Sequence, residues 1–116
     1  MKEQTVPEVG MGATEHGWSD SYAYTIVEVN KNKTRIVMQK DKTTLLNKDD
    51  LEFHVGGFAG HCSNQSVQRY SYEANPDGAT KTVSLRKNGR WIIKGRGMND
   101  RGVTIGVRAE FYDYNF

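Results

Sequence analysis

Apolar and polar residues alternate with a period of two along most of this chain, the pattern of half-buried β-strands. Tyr22 to Val29 is rich in β-branched and aromatic residues and predicts a strand; Asn30-Lys31-Asn32-Lys33 turns the chain, and Thr34 to Lys40 returns antiparallel. Val67 to Glu73 predicts a third strand with Tyr70 and Tyr72 on one face. Asn75-Pro76-Asp77-Gly78 then predicts a turn in which proline sets φ and glycine takes the positive one. Thr80 to Lys87 and Arg90 to Lys94 flank Asn88-Gly89, a strong hairpin signal. Beyond a glycine-rich loop at 95–102, Val103 to Phe116 begins as a strand, with Val103, Ile105, Val107, Ala109 and Phe111 pointing inward. No segment carries a 3.6-residue stripe longer than two turns. The expected fold is all-β, a small antiparallel barrel or strongly bent sheet of about six strands.

Three stretches interrupt the pattern. Val9 to Thr14 places Gly10 and Gly12 inside a short apolar run, which predicts a bulged first strand. Its Gly-x-Gly order resembles the start of a dinucleotide fingerprint, yet no helix follows to hold a phosphate. Trp18-Ser19-Asp20 predicts a turn in which indole covers one end of the core; the sharper alternative is a stacking surface beside a carboxylate. Residues 41–66 have no sustained period, and Leu45, Leu46, Leu51, Phe53, Val55 and Phe58 predict a long ordered loop packed on the sheet, with a helical turn near 47–51. Residues 1–8 predict a frayed arm or an edge strand.

Composition narrows the class. The 116 residues suit one domain, 1–116, with one modest core. No long apolar run or signal segment appears, so a soluble chain with no membrane partner is expected. Cys62 stands alone, which excludes an internal disulfide framework and suits a reducing cytoplasm. A net charge of +2 does not by itself call for nucleic acid.

The faces of the last hairpin carry the functional inference. A two-residue Asn88-Gly89 loop pairs Arg86 with Trp91 and Leu85 with Ile92. Leu85, Ile92 and Val83 then face the core, while Trp91 and Arg86 share the outer face with Ser84 and Ile93. Arg108 and Tyr112 project to that outer side as well. Trp18, Asp20, Arg86, Trp91, Arg108 and Tyr112 are thus the candidate ligand-binding residues: rings stack a nucleobase and arginines grip phosphate. The same residue types mark a subunit interface, and a homo-oligomer weighs equally.

Catalytic signals are weak. His16, His54, His61 and Cys62 lack the paired spacing of a structural zinc site, so no metal and no cofactor is expected. A Cys62 nucleophile with His54 as base is the enzymatic alternative, with His61 a poor partner because adjacent residues on extended chain point apart.

The stretches GMGAT, WSDSYAYTIVEV, GGFAGHCSNQ, NGRW and EFYDYNF together resemble a widespread small protein family of phages and prophages. The resemblance spans nearly the whole chain. Ser21 and Ala23 depart from it, standing where many relatives carry a basic residue and a proline. The longer GGFAGHC form of the central loop marks Phe58, His61, Cys62, Asn64 and Gln65 as a candidate pocket wall. The resemblance implies a phage origin and the cytoplasm of an infected or lysogenic bacterial host; together with the Arg, Trp and Tyr surface and the lack of catalytic spacing, it leads to the expectation of a non-enzymatic binding module. Its expected partner is a small nucleotide signal or a host protein, to blunt bacterial defence. An RNA- or DNA-binding barrel and a structural phage component are the alternatives.

Overall fold

The computed structural model describes residues 5–54, 61, 62, 64–97 and 100–112. The chain forms strands β1 (Gly12–His16), β2 (Ser21–Val29), β3 (Arg35–Lys40), β4 (Lys42–Leu45), β5 (Phe53–His54), β6 (His61–Cys62), β7 (Tyr70–Glu73), β8 (Thr80–Leu85), β9 (Trp91–Ile93) and β10 (Val103–Ile105). Six of them close an antiparallel barrel in the order β1-β10-β9-β8-β3-β2. Chain neighbours are therefore barrel neighbours, except where β4 to β7 are inserted between β3 and β8. No helix among the described residues is long and apolar enough to cross a membrane.

Alternation fills the lumen. Ala13, Tyr24, Ile26, Ile36, Met38, Val83, Trp91, Ile93, Val103 and Ile105 form the buried core, with Met11, Tyr22, Val29 and Leu85 packed against it. A register shift between Ile26 and Glu28 lets Val27 bulge outward, which returns Val29 to the inward side. The β2–β3 turn is fixed by Asn30, whose Oδ1 accepts from the N–H groups of Thr34 and Arg35 at 2.8 and 3.0 Å.

The β8–β9 hairpin differs from expectation in register. The partners are Leu85 with Trp91, Ser84 with Ile92 and Val83 with Ile93. The loop is three residues, Lys87-Asn88-Gly89, not two. Gly89 N–H donates to Arg86 C=O at 2.9 Å and Gly89 itself takes φ +84°. A two-residue loop on Asn-Gly would need positive φ at Asn88 too, and Lys33 is the one non-glycine residue there among those described. The extra residue reverses every face assignment beyond it. Trp91 lies inside the barrel, 6% exposed, on the side of Leu85.

The 41–66 stretch is more regular than a loop. β3 continues past Asp41 into β4, and β4 pairs with β7 from Lys42↔Glu73 to Leu45↔Tyr70. β3–β4 and β7–β8 are thus one long ribbon, whose inner half joins the barrel and whose outer half leaves it. Lys48–Asp50 is the expected helical turn, as a 3-10 turn; a second occupies Gln65–Val67, so the third expected strand starts only at Tyr70. The Asn75-Pro76-Asp77-Gly78 turn is not a hairpin tip but a protrusion between β7 and β8. Gly78 does not take positive φ. Glycine is needed there because a Cβ would lie 2.3 Å from Lys40 C=O.

The last strand ends at Ile105, earlier than expected. Gly106, with φ +97°, turns the chain so that Val107 is 45% exposed. The following residues cross the outside of the barrel to a bridge between Ser21 and Phe111. They are pinned by Thr14, whose hydroxyl donates to Val107 C=O at 2.7 Å and accepts from Ala109 N–H at 3.0 Å.

Candidate functional site at the Trp18 cleft

Charge enters the barrel at one end of its lumen. Continuing the inward positions past Ala13, Met38 and Val83 by two residues reaches Glu15, Lys40 and Lys81. Glu15 is 4% exposed and accepts from Tyr24 Oη at 2.7 Å and from Lys81 Nζ at 2.9 Å, with Arg96 Nη1 at 3.1 Å. Lys40 pairs with Glu110 at 3.2 Å, and both lysines lie 5.8 Å from the centre of the Tyr24 ring. Burial by itself pushes the Glu15 carboxyl up. Hydrogen bonds from Lys81 and Tyr24, with the charges of Lys81 and Arg96, outweigh it and hold the group below its ordinary 4.5. The Tyr24 phenol is pushed far above 10.0 by burial first, then by its bond to Glu15 and that carboxylate's charge. Every charge here has an opposite partner, so the cluster acts as a polar stopper for the lumen.

A second ion pair clamps the outer surface. Asp41, its side chain 0% exposed, meets Arg108 Nε at 2.9 Å, and Arg108 Nη2 donates to Thr25 Oγ1 at 2.9 Å. The Arg108 stem lies over Gly12, where a Cβ would sit 2.6 Å from Cγ. The Gly10–Gly12 pair thus has two separate causes: Gly10 takes φ +93°, and Gly12 makes room for the arginine. Arg108→Ala leaves Asp41 buried and short of its cation, so we expect a loss of about 2 kcal/mol in urea unfolding, below the usual cost of breaking a buried pair because Arg108 is partly solvated. A wild-type midpoint for that variant would contradict the clamp.

The six candidate ligand residues do not converge. Trp91 belongs to the core, and Arg108 is committed to Asp41. Arg86 reaches toward Arg96 C=O at 3.5 Å, and its Nε is buried with no hydrogen-bond partner among the described residues. Tyr112 is exposed, with its backbone held by Gln68. Of the loop wall, Phe58 and the His61 side chain lie outside the described residues. Cys62 is buried with Sγ 3.7 Å from Asn64 Oδ1, and Asn64 ties Glu52 N–H to Asp50 C=O. Gln65 opens the second 3-10 turn. Asn64 thus ties the 3-10 turn at Lys48–Asp50 to the start of the second one.

Trp18 and Asp20 do share a cleft. Its volume is about 390 Å³, and His16, Gly17, Trp18, Ser19, Asp20, Ser21 and Arg101 line it. Trp18 does not cap the core: it is 76% exposed, with the Arg101 guanidinium 4.7 Å from its ring centre. The turn that presents it is closed by Gly17 N–H donating to Asp20 C=O at 2.8 Å. Tyr22 Oη donates to the Asp20 carboxylate at 3.3 Å; burial, then that charge, raises the phenol's pKa. Nε2 of His16 is 2.7 Å from Thr104 Oγ1. Arg101 also borders a neighbouring cleft of about 330 Å³, whose lining includes Thr5, Gly89, Arg90 and Gly102.

Arg101 was missed by a reading built on strand faces, since loops have no parity. A different signal marks it. Residues 86–101 hold Arg86, Lys87, Arg90, Lys94, Arg96 and Arg101 against Asp100 alone, a local +5 in a chain of +2. No group of three or more potential metal ligands occurs among the described residues. No family model matches the chain, and no curated protein or solved structure does either.

Proposed function

We propose that the protein is a non-enzymatic, phage-derived binding module that holds a nucleotide-bearing signal or host component, in the service of countering bacterial defence. One observation carries this reading: the Trp18 indole stands open to solvent with the Arg101 guanidinium over it. An indole offers a nucleobase a stacking surface, and a guanidinium offers phosphate two parallel hydrogen bonds. Asp20 and His16 add polar groups at the same cleft. The motif resemblance supports a phage origin, and the scarcity of catalytic spacing favours binding over turnover.

The test is titration of the protein with adenosine monophosphate and with cyclic di-adenosine monophosphate, followed by tryptophan fluorescence and by melting temperature. Quenching at Trp18 and a raised melting temperature are expected for at least one of them. Trp18→Ala should weaken that binding roughly tenfold to a hundredfold, since a stacked base is worth about 1–3 kcal/mol. Its stability should stay within about 0.5 kcal/mol of wild type, because the residue is at the surface. Unchanged fluorescence and melting with both nucleotides would defeat the reading.

A further inference from the structure

We infer that the ligand class of this site is a linear, single-stranded oligonucleotide that runs from the Trp18 cleft into its neighbour, crossing Arg101. The inference rests on the reading of Trp18 as a stacking platform. Four observations lead to it. Arg101 borders both clefts, so one cation stands where a strand passing between them would place a phosphate. The second cleft is lined by Gly89 and Gly102, both at positive φ, and at Gly102 a side chain would strike Trp91 C=O at 2.9 Å, so this part of the lining is bare backbone. Arg90 forms a wall of that cleft and belongs to the same +5 segment as Arg101.

The fourth observation concerns shape. Both clefts are shallow and open to water. Small ligands are held most tightly in sites that bury most of their surface, whereas these clefts leave part of a nucleotide in water, so a single nucleotide gains only part of the available contact. A strand recognised by base stacking and phosphate contact needs only an open, positively charged track. The charge supports this too, because the +5 is concentrated at residues 86–101 while the remaining chain carries −3, the difference from the overall +2. Of that segment's cations, Arg90 and Arg101 line the second cleft, where they can attract a polyanion, while Arg96 is paired with Glu15 and Lys94 borders a different surface.

The experiment is a length series. Oligoadenylates of one to six nucleotides compete with a fluorescein-labelled hexamer for the intact protein, monitored by anisotropy. Affinity is expected to rise by at least tenfold from one nucleotide to three and then to level off. Added salt should weaken the longer ligands more, the slope of log K growing by about 0.7 for each phosphate engaged. Thr5 is exposed and borders the second cleft but not the first, so Thr5→Glu places a negative charge there without touching the Trp18 cleft. That variant should bind the trimer only as well as the monomer while keeping wild-type monomer affinity, with circular dichroism verifying its fold. Trp18→Ala should weaken every length. Equal affinity at all lengths would overturn the two-cleft strand and leave Trp18 as a mononucleotide site. Binding at no length would overturn both readings.

Discussion

Trp91→Ala is expected to cost about 4 kcal/mol of folding stability, the range for removing a large aromatic from a packed interior. The indole is 6% exposed and lies in the barrel core on the side of Leu85, with Val103 its cross-strand partner in β10. β9 is three residues long and meets β10 at that one pair, so the side chain also supports the thinnest part of the barrel wall. Equilibrium urea unfolding would show the loss as a lower midpoint. Mass by size-exclusion chromatography should not change, since an inward residue touches no second copy. A variant that kept its stability but changed its assembly would instead return Trp91 to the surface.

Glu15→Ala is expected to cost about 3 kcal/mol at neutral pH, the scale of breaking a buried charge network by removing one partner. The variant takes away the anion of Lys81, leaves Arg96 with Asp100 alone at 3.4 Å, and removes the acceptor of the Tyr24 hydroxyl. The melting temperature should fall by on the order of 10 °C. The pH profile identifies the cause. Glu15 binds its proton less readily folded than unfolded, so the unfolded chain takes up protons as pH falls below 4.5. The stabilisation is therefore complete above that value and fades through the acid range below it. Tyr24 has the opposite sign: its proton is held more tightly in the fold, so stability drains as pH rises beyond 10.0. Wild type should lose stability at both limits, and Glu15→Ala should lose the acid slope that this site contributes. An unchanged acid limb would show that the network does not set it.

The two hairpins explain which parts of the architecture were legible. β2–β3 could be read because its apolar runs are long and its turn is fixed by local chemistry at Asn30. β8–β9 was legible in kind and not in register. One conformational choice at Asn88, negative φ, separates a two-residue loop from the three-residue loop found, and composition does not fix it. That single step carried Trp91 from a surface platform to the core. Strand β4 was hidden because Lys-Thr-Thr-Leu is short and mostly polar; it is a strand because β7 pairs with it. At the site, Trp18 and Asp20 could be named from a turn signal, while Arg101 needed the charge count of residues 86–101. Arg108 was read as a surface group because Asp41, 67 positions away, cannot be matched to it by spacing.

The ribbon shared by β3–β4 and β7–β8 bears on how the barrel assembles. Gln39 and Thr80 are partners across 41 positions of chain, a pairing that would be slow if the two had to meet as free ends. Once Lys42 has met Glu73, only Lys40, Asp41 and the short protrusion at 74–79 separate that pair from the next. The inserted arm thus acts as a zipper. Registration begun at its outer rungs delivers β3 and β8 to each other already aligned, and leaves the meeting of β1 with β10 as the long-range event that shuts the cylinder.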